Sequence, residues 1–128
     1  MIKIKQSAQE LKLDLCNMRS ENIEQVISKF VNRITELHGD KIADIYLYGS
    51  VARGNYRDDS DIDIFVTMNT DEDEIDRIYL NIWQDGILGS ICLDNGVILS
   101  YLLGTKENFD NDKSYLYVNI KKDGVRIV

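Results

Sequence analysis

Apolar residues recur along this chain with two different periods, and their order outlines a fold before any chemistry is considered. Ile23, Val26, Ile27, Phe30, Ile34 and Leu37 form the apolar stripe of an amphipathic helix. Asn22, with Gln25 three positions on, predicts its N-terminal cap, and Gly39 after His38 predicts a left-handed stop. Residues 41–50 then alternate Ala43, Ile45 and Leu47 with Asp44, Tyr46 and Tyr48, the period of a strand that ends at Gly49. Ser50 to Asp59 holds too short a run for a full helix and reads as a turn, or one helical turn, followed by a loop. Residues 61–67 alternate again and predict a second strand.

Ile75, Ile78, Tyr79 and Ile82 carry the next helical stripe, which Gly86 and Gly89 interrupt. Its acidic start, residues 71–76, complements the helix dipole and needs no metal to account for it. Asp94-Asn95-Gly96 signals a turn into a third strand at 97–103, whose apolar run implies burial on both faces. Residues 106–113 are polar and read as a surface loop. After Ser114, Tyr117 or Leu116 shares a helical face with Ile120, Asp123-Gly124 turns the chain, and residues 125–128 form a terminal strand. Residues 1–20 leave two readings open, because Ile2 and Ile4 alternate as in a strand while Leu11, Leu15 and Met18 recur at helical spacing. The order is that of an α/β or α+β fold, a small mixed sheet with helices packed on one face.

Composition narrows the class. A chain of 128 residues fits one domain with residues 1–20 as an extension, and 44% hydrophobic with 29% charged residues is an ordinary globular balance. The N-terminal residues mix Lys and Glu with isolated apolar side chains, so neither a signal peptide nor a membrane span is expected, and a cytoplasmic protein is. Cys16 and Cys92 lack metal or redox spacing and read as reduced packing residues. A net charge of -7 excludes broad electrostatic binding to nucleic acid but leaves room for a local basic spot that takes one triphosphate. With His38 as the sole histidine, no Ser-His-Asp set or His pair can be assembled, and its place at a helix C-terminus suits the dipole.

The candidate chemistry lies in 48–66, YGSVARGNYRDDSDIDIFV. Asp61 and Asp63 are two apart in a strand and leave the same face, where two carboxylates repel unless a cation lies between them. Few carboxylates, completed by phosphates and water, is the ligand set Mg²⁺ prefers, and it would support in-line displacement at phosphorus. Gly49 lets the backbone approach a ligand, Ser50 can donate to phosphate oxygens, and Arg53 offers a charged fork. Taken singly, these are an ordinary turn glycine, an exposed polar strand face and a surface arginine. Their joint occurrence is what singles them out. The tyrosines and Trp83 read as core or half-buried residues, with Tyr56 in the loop placed to border a base.

The pattern Gly49-Ser50, ten residues, then Asp61-Ile62-Asp63, with hydrophobic strands on both sides, resembles the minimal nucleotidyltransferases of the DNA polymerase β-like superfamily. The resemblance extends from the helix at Asn22 to Val125. It implies Mg²⁺-dependent transfer of a nucleoside monophosphate, commonly AMP, from an NTP such as ATP to an acceptor hydroxyl; because a chain this short lacks an obvious acceptor-binding domain, another protein or another subunit is expected to supply the acceptor. Gly49, Ser50 and Arg53 would then contact the triphosphate, while Asp61 and Asp63 bind the metal and catalyse. Active relatives usually carry a third carboxylate on a following strand. Residues 97–103 hold none, and Asp94 precedes them in the turn. The resemblance therefore also admits a catalytically weak or inactive antitoxin-like module that binds a small helical HEPN-type partner.

Overall fold

A computed structural model describes residues 18–54, 61–95 and 97–127, apart from the side chains of 18–22 and 92–95. The readings made for residues 1–17, Tyr56 and the Cys92 side chain lie outside these. The chain runs α1 (Met18–His38), β1 (Ile42–Tyr48), α2 (Gly49–Arg53), β2 (Ile62–Met68), α3 (Glu72–Asp85), α4 (Ile87–Asn95), β3 (Leu99–Thr105), α5 (Lys106–Asn111), α6 (Tyr115–Asp123) and β4 (Val125–Arg126). The strands form one mixed sheet in the order β3-β2-β1-β4, with β1 antiparallel to β2 and β4, and β2 parallel to β3. Among the described residues no helix is long and apolar enough to cross a membrane.

The two-residue period of the strands sorts their side chains. Ile62, Ile64, Val66 and Met68 of β2 share one face with Ile45 and Leu47 of β1, and together they pack against the apolar stripes of α1, α3 and α4 in the main core. Phe65 points the other way, into a smaller cluster with Phe109 of α5 and Ile120 of α6. The rings of Phe65, Phe109 and Tyr117 meet at centroid distances of 5.2–5.5 Å. The helical layer expected on one face is thus the larger of two, and α5 and α6 cover part of the other.

Several expectations are revised. Helix α1 starts at Met18, so Asn22 lies inside it: residues 19–21 contain no breaker and simply extend the helix. Gly39 is not among the described glycines of positive φ, which are Gly49, Gly54 and Gly86; a Cβ at Gly39 would instead approach the Thr35 carbonyl to 2.5 Å. Gly86 does stop α3, whereas Gly89 lies within α4. Residues 106–113 are not a loop throughout. The Thr105 hydroxyl accepts the Asn108 N–H at 3.1 Å and starts α5, which buries Phe109. Trp83 is 74% exposed rather than packed.

Side-chain links hold the layers in register. Arg33 of α1 donates to the Asp85 carboxylate at the end of α3 at 2.5–3.2 Å. The buried Asp44 of β1 takes Lys106 at 3.0 Å and Arg126 at 2.8 Å, tying β1 to α5 and β4. The acidic start of α3 is structural, as expected: Asp71 accepts the Glu74 N–H at 2.8 Å, and Glu74 pairs with Lys41 at 2.5 Å. His38 lies in the last turn of α1 with its Nε2 2.8 Å from Asn81 Oδ1. Strand β3 is an edge, so the backbone of Leu103 faces away from β2; the Tyr79 hydroxyl accepts its N–H at 2.6 Å.

Candidate active site

The sheet delivers Gly49 and Asp63 to the same point. Tyr48, the last residue of β1, stands opposite Asp63 of β2 in the antiparallel register. The next residue, Gly49, has φ of 78°, and a Cβ there would collide with the Asp63 carboxylate oxygen. Both the left-handed backbone and the close approach therefore require glycine. Helix α2 starts at once. Tyr48 is its N-cap residue and supplies no side-chain hydrogen bond, while Val51 and Ala52 anchor the other side of the turn in the main core. Arg53 ends α2 exposed, and Gly54, with φ of 77°, closes it.

Asp61 is exposed just before β2 and Asp63 is half-buried within it. Burial pushes the Asp63 carboxyl above its ordinary pKa, and the Asp61 charge pushes the same way, while the Arg53 guanidinium opposes them. Strand β3 completes this end of the sheet. The Ile62 N–H donates to the Ile98 carbonyl at 2.9 Å, and Ser100 stands in register with Asp63. Leu99 faces the main core, so Ile98 and Ser100 lie on the face of the carboxylates. Ile98 is 60% exposed and Ser100 is exposed, which corrects the expectation of a strand buried on both faces. Asp94 belongs by its backbone to the last turn of α4, five residues before β3 begins, and so is not a strand residue. Among the described residues no three His, Cys, Asp or Glu converge as a metal-ligand group.

A cleft of about 450 Å³ opens beside this junction. Tyr48, Gly49 and Arg53 form one wall, and Tyr115, Leu116, Asn119, Ile120 and Asp123 of α6 line the other. Ser50, Asp61 and Asp63 are not among its lining residues, although Asp63 touches the cleft's edge through Gly49.

The profile of the family described as the nucleotidyltransferase domain matches residues 27–126, which includes every described element except the first turns of α1. The chain belongs to the nucleotidyltransferase domain family. It is 28% identical over 104 residues to the "Putative protein adenylyltransferase MJ0604" of Methanocaldococcus jannaschii, a match covering 80% of this chain and 95% of that protein. The crystal structure of a putative nucleotidyltransferase from Sulfolobus solfataricus superposes with a TM-score of 0.49 at 22% identity, over 83% of this chain and 82% of that one.

In this nucleotidyltransferase domain the resemblance read from Gly49-Ser50 and Asp61-Ile62-Asp63 holds at the level of the family. The donor set suits a divalent cation that keeps water and substrate oxygens in its shell, since two neighbouring carboxylates, one of them desolvated, are only partly offset by the Arg53 charge. The α6 wall was not singled out in the sequence. The signal available there was Tyr115 with Asn119 four residues on, an aromatic and an amide on one helical face.

Proposed function

We propose that this nucleotidyltransferase domain moves AMP from ATP to an acceptor hydroxyl on a partner protein, with Asp61 and Asp63 as ligands for Mg²⁺. Gly49 and Ser50 receive the triphosphate and Arg53 contacts its oxygens. The observation that carries this reading is the contact of the Gly49 backbone with the Asp63 carboxylate, which brings a phosphate-accessible turn and a carboxylate pair to one point. Mg²⁺ held there would offset the charge of the phosphates during displacement at the α-phosphorus. The chain's own part is positional. The rigid strand pair fixes the carboxylates, and the cationic Arg53 offsets phosphate charge beside them. The name of the Methanocaldococcus relative supports adenylate as the group moved and a protein as the acceptor. The test is transfer of labelled AMP from ATP in the presence of Mg²⁺. Asp61→Asn with Asp63→Asn should lower it by about 10³-fold, equivalent to roughly 4 kcal/mol of transition-state stabilisation; turnover like that of the wild type sinks the assignment.

One observation favours a second reading. The positions nearest Asp63 on its face are occupied by Ser100 of β3 and by Ile98 just before the strand, so no carboxylate there takes the acceptor proton. General-base help is worth roughly 10²–10⁴-fold. Without it the domain acts as an antitoxin-like module whose role rests on docking a HEPN-type helical protein. Co-purification of such a neighbour-encoded partner, retained in Asp61→Asn, supports docking; loss of the partner in that variant, or turnover without any partner, counts against it.

A further inference from the structure

The two walls of the cleft differ in chemistry in the way that the two ends of a nucleotide do. The β1–α2 wall offers the Gly49 backbone and the Arg53 guanidinium, both suited to phosphate. The first two turns of the α6 wall offer an aromatic ring, Tyr115, the aliphatic Leu116 and the amide of Asn119, and Asp123 lies at the far end of the helix. We propose that α6 is the nucleobase subsite, with the Tyr115 ring as the stacking platform and the Asn119 amide reading the edge of the base. This rests on the clamp proposed above and adds to it the half of the substrate that the motif leaves unassigned.

The direction in which α6 crosses the sheet gives the order of the parts. Val125 pairs with Leu47, so the C-terminal end of α6 lies beside β1. The ring of Tyr117 packs tilted against Phe65 of β2 at 5.3 Å, and its hydroxyl reaches toward Gly104 of β3. The helix therefore runs from the β3 side to the β4 side, and its first turn, with Tyr115 and Leu116, lines the cleft across from Gly49 and Arg53. A nucleotide whose phosphates lie against the Gly49 and Arg53 wall then carries its base across the cleft toward Tyr115. Tyr115 is 85% exposed and joins neither hydrophobic cluster, so folding does not use its ring. Asn119 follows at i+4 and faces the same cleft, offering both a donor and an acceptor. The cleft's volume falls within the range of small-molecule sites, and a triphosphate alone would leave its aromatic end empty.

The test is calorimetric titration of the full chain with ATP, CTP and inorganic tripolyphosphate, each with Mg²⁺. Tyr115→Ala should weaken ATP about 10-fold, as expected for loss of one base–aromatic stack, and leave tripolyphosphate unchanged; Tyr115→Phe should restore ATP. Asn119→Ala should narrow the difference between ATP and CTP. If Tyr115→Ala binds ATP as the wild type does, α6 is not the base subsite. Equal affinity of the wild type for ATP and CTP overturns the role of Asn119. If the wild type binds neither ATP nor tripolyphosphate, the clamp itself fails and the inference falls with it.

Discussion

The two faces of the sheet at β2 are built on opposite principles. On one, Ile62, Ile64, Val66 and Met68 close against α1, α3 and α4 without a polar atom among them. On the other, the same strand carries Asp63, Phe65 and Thr67, and only the Asp63 end is left open, since Phe65 and Thr67 are fully buried. The first face is saturated with contacts. The second keeps a desolvated carboxylate whose burial and neighbour both work against its charge. A strand one residue out of register would exchange the two sets, so the aliphatic face is also what aims the carboxylate. Stability and chemistry here are alternate residues of a single strand.

That division can be broken from either side. The largest effect expected on the aliphatic face is from Ile64→Ala, which removes a fully buried side chain and should cost about 2–5 kcal/mol in denaturant unfolding, while the folded fraction keeps its Mg²⁺–ATP affinity in titration. Next, Ser100→Asp installs a carboxylate in register with Asp63. It should raise AMP transfer by about 10-fold or more, toward the general-base range, measured with labelled ATP. Smaller again, Asp63→Asn removes a charge that folding disfavours, so the melting temperature of the metal-free protein should rise by roughly 2–4 °C even as nucleotide binding is lost.

The smallest effect is away from both faces. Hydrogen bonds from Arg33 hold the Asp85 carboxyl below its ordinary value of 3.8, so its stabilisation is complete above that value and is lost as the pH falls through the lower folded-state pKa. The stability gap between wild type and Asp85→Asn, open at neutral pH, should therefore close below about pH 4 in circular-dichroism melts. A gap that stays constant across that range would show that the pair contributes nothing through ionisation.

What could be read from the sequence was what neighbouring residues encode. The alternation around Asp61 and Asp63, the Gly49-Ser50 turn and the stripes of α1 and α3 are local patterns, and each reappears in the fold. The misses have a common cause in partners distant along the chain. The lone Phe109 in a polar stretch gives no period, so α5 was invisible until Phe65 and Tyr117 surrounded it. Residues 97–103 look like a central strand, but sheet order makes β3 an edge and leaves Ile98 and Ser100 exposed. Tyr115 approaches the cleft only because β4 returns beside β1 and draws α6 across the face. Gly39 and Gly86 both follow helices, yet only Gly86 adopts the left-handed conformation, a difference that rests on how the chain leaves each helix.

The hydroxyl of Tyr79 on the backbone of Leu103 bears on how this protein behaves among copies of itself. An edge strand presents outward amide groups that invite another strand to add, the first step toward ribbon-like aggregation. At β3 one such amide is already engaged by a side chain rooted in α3, and that side chain occupies the place an incoming strand would need. The edge nearest the carboxylates is thereby kept from becoming a template, and crowding in solution has one fewer route to polymerise the sheet.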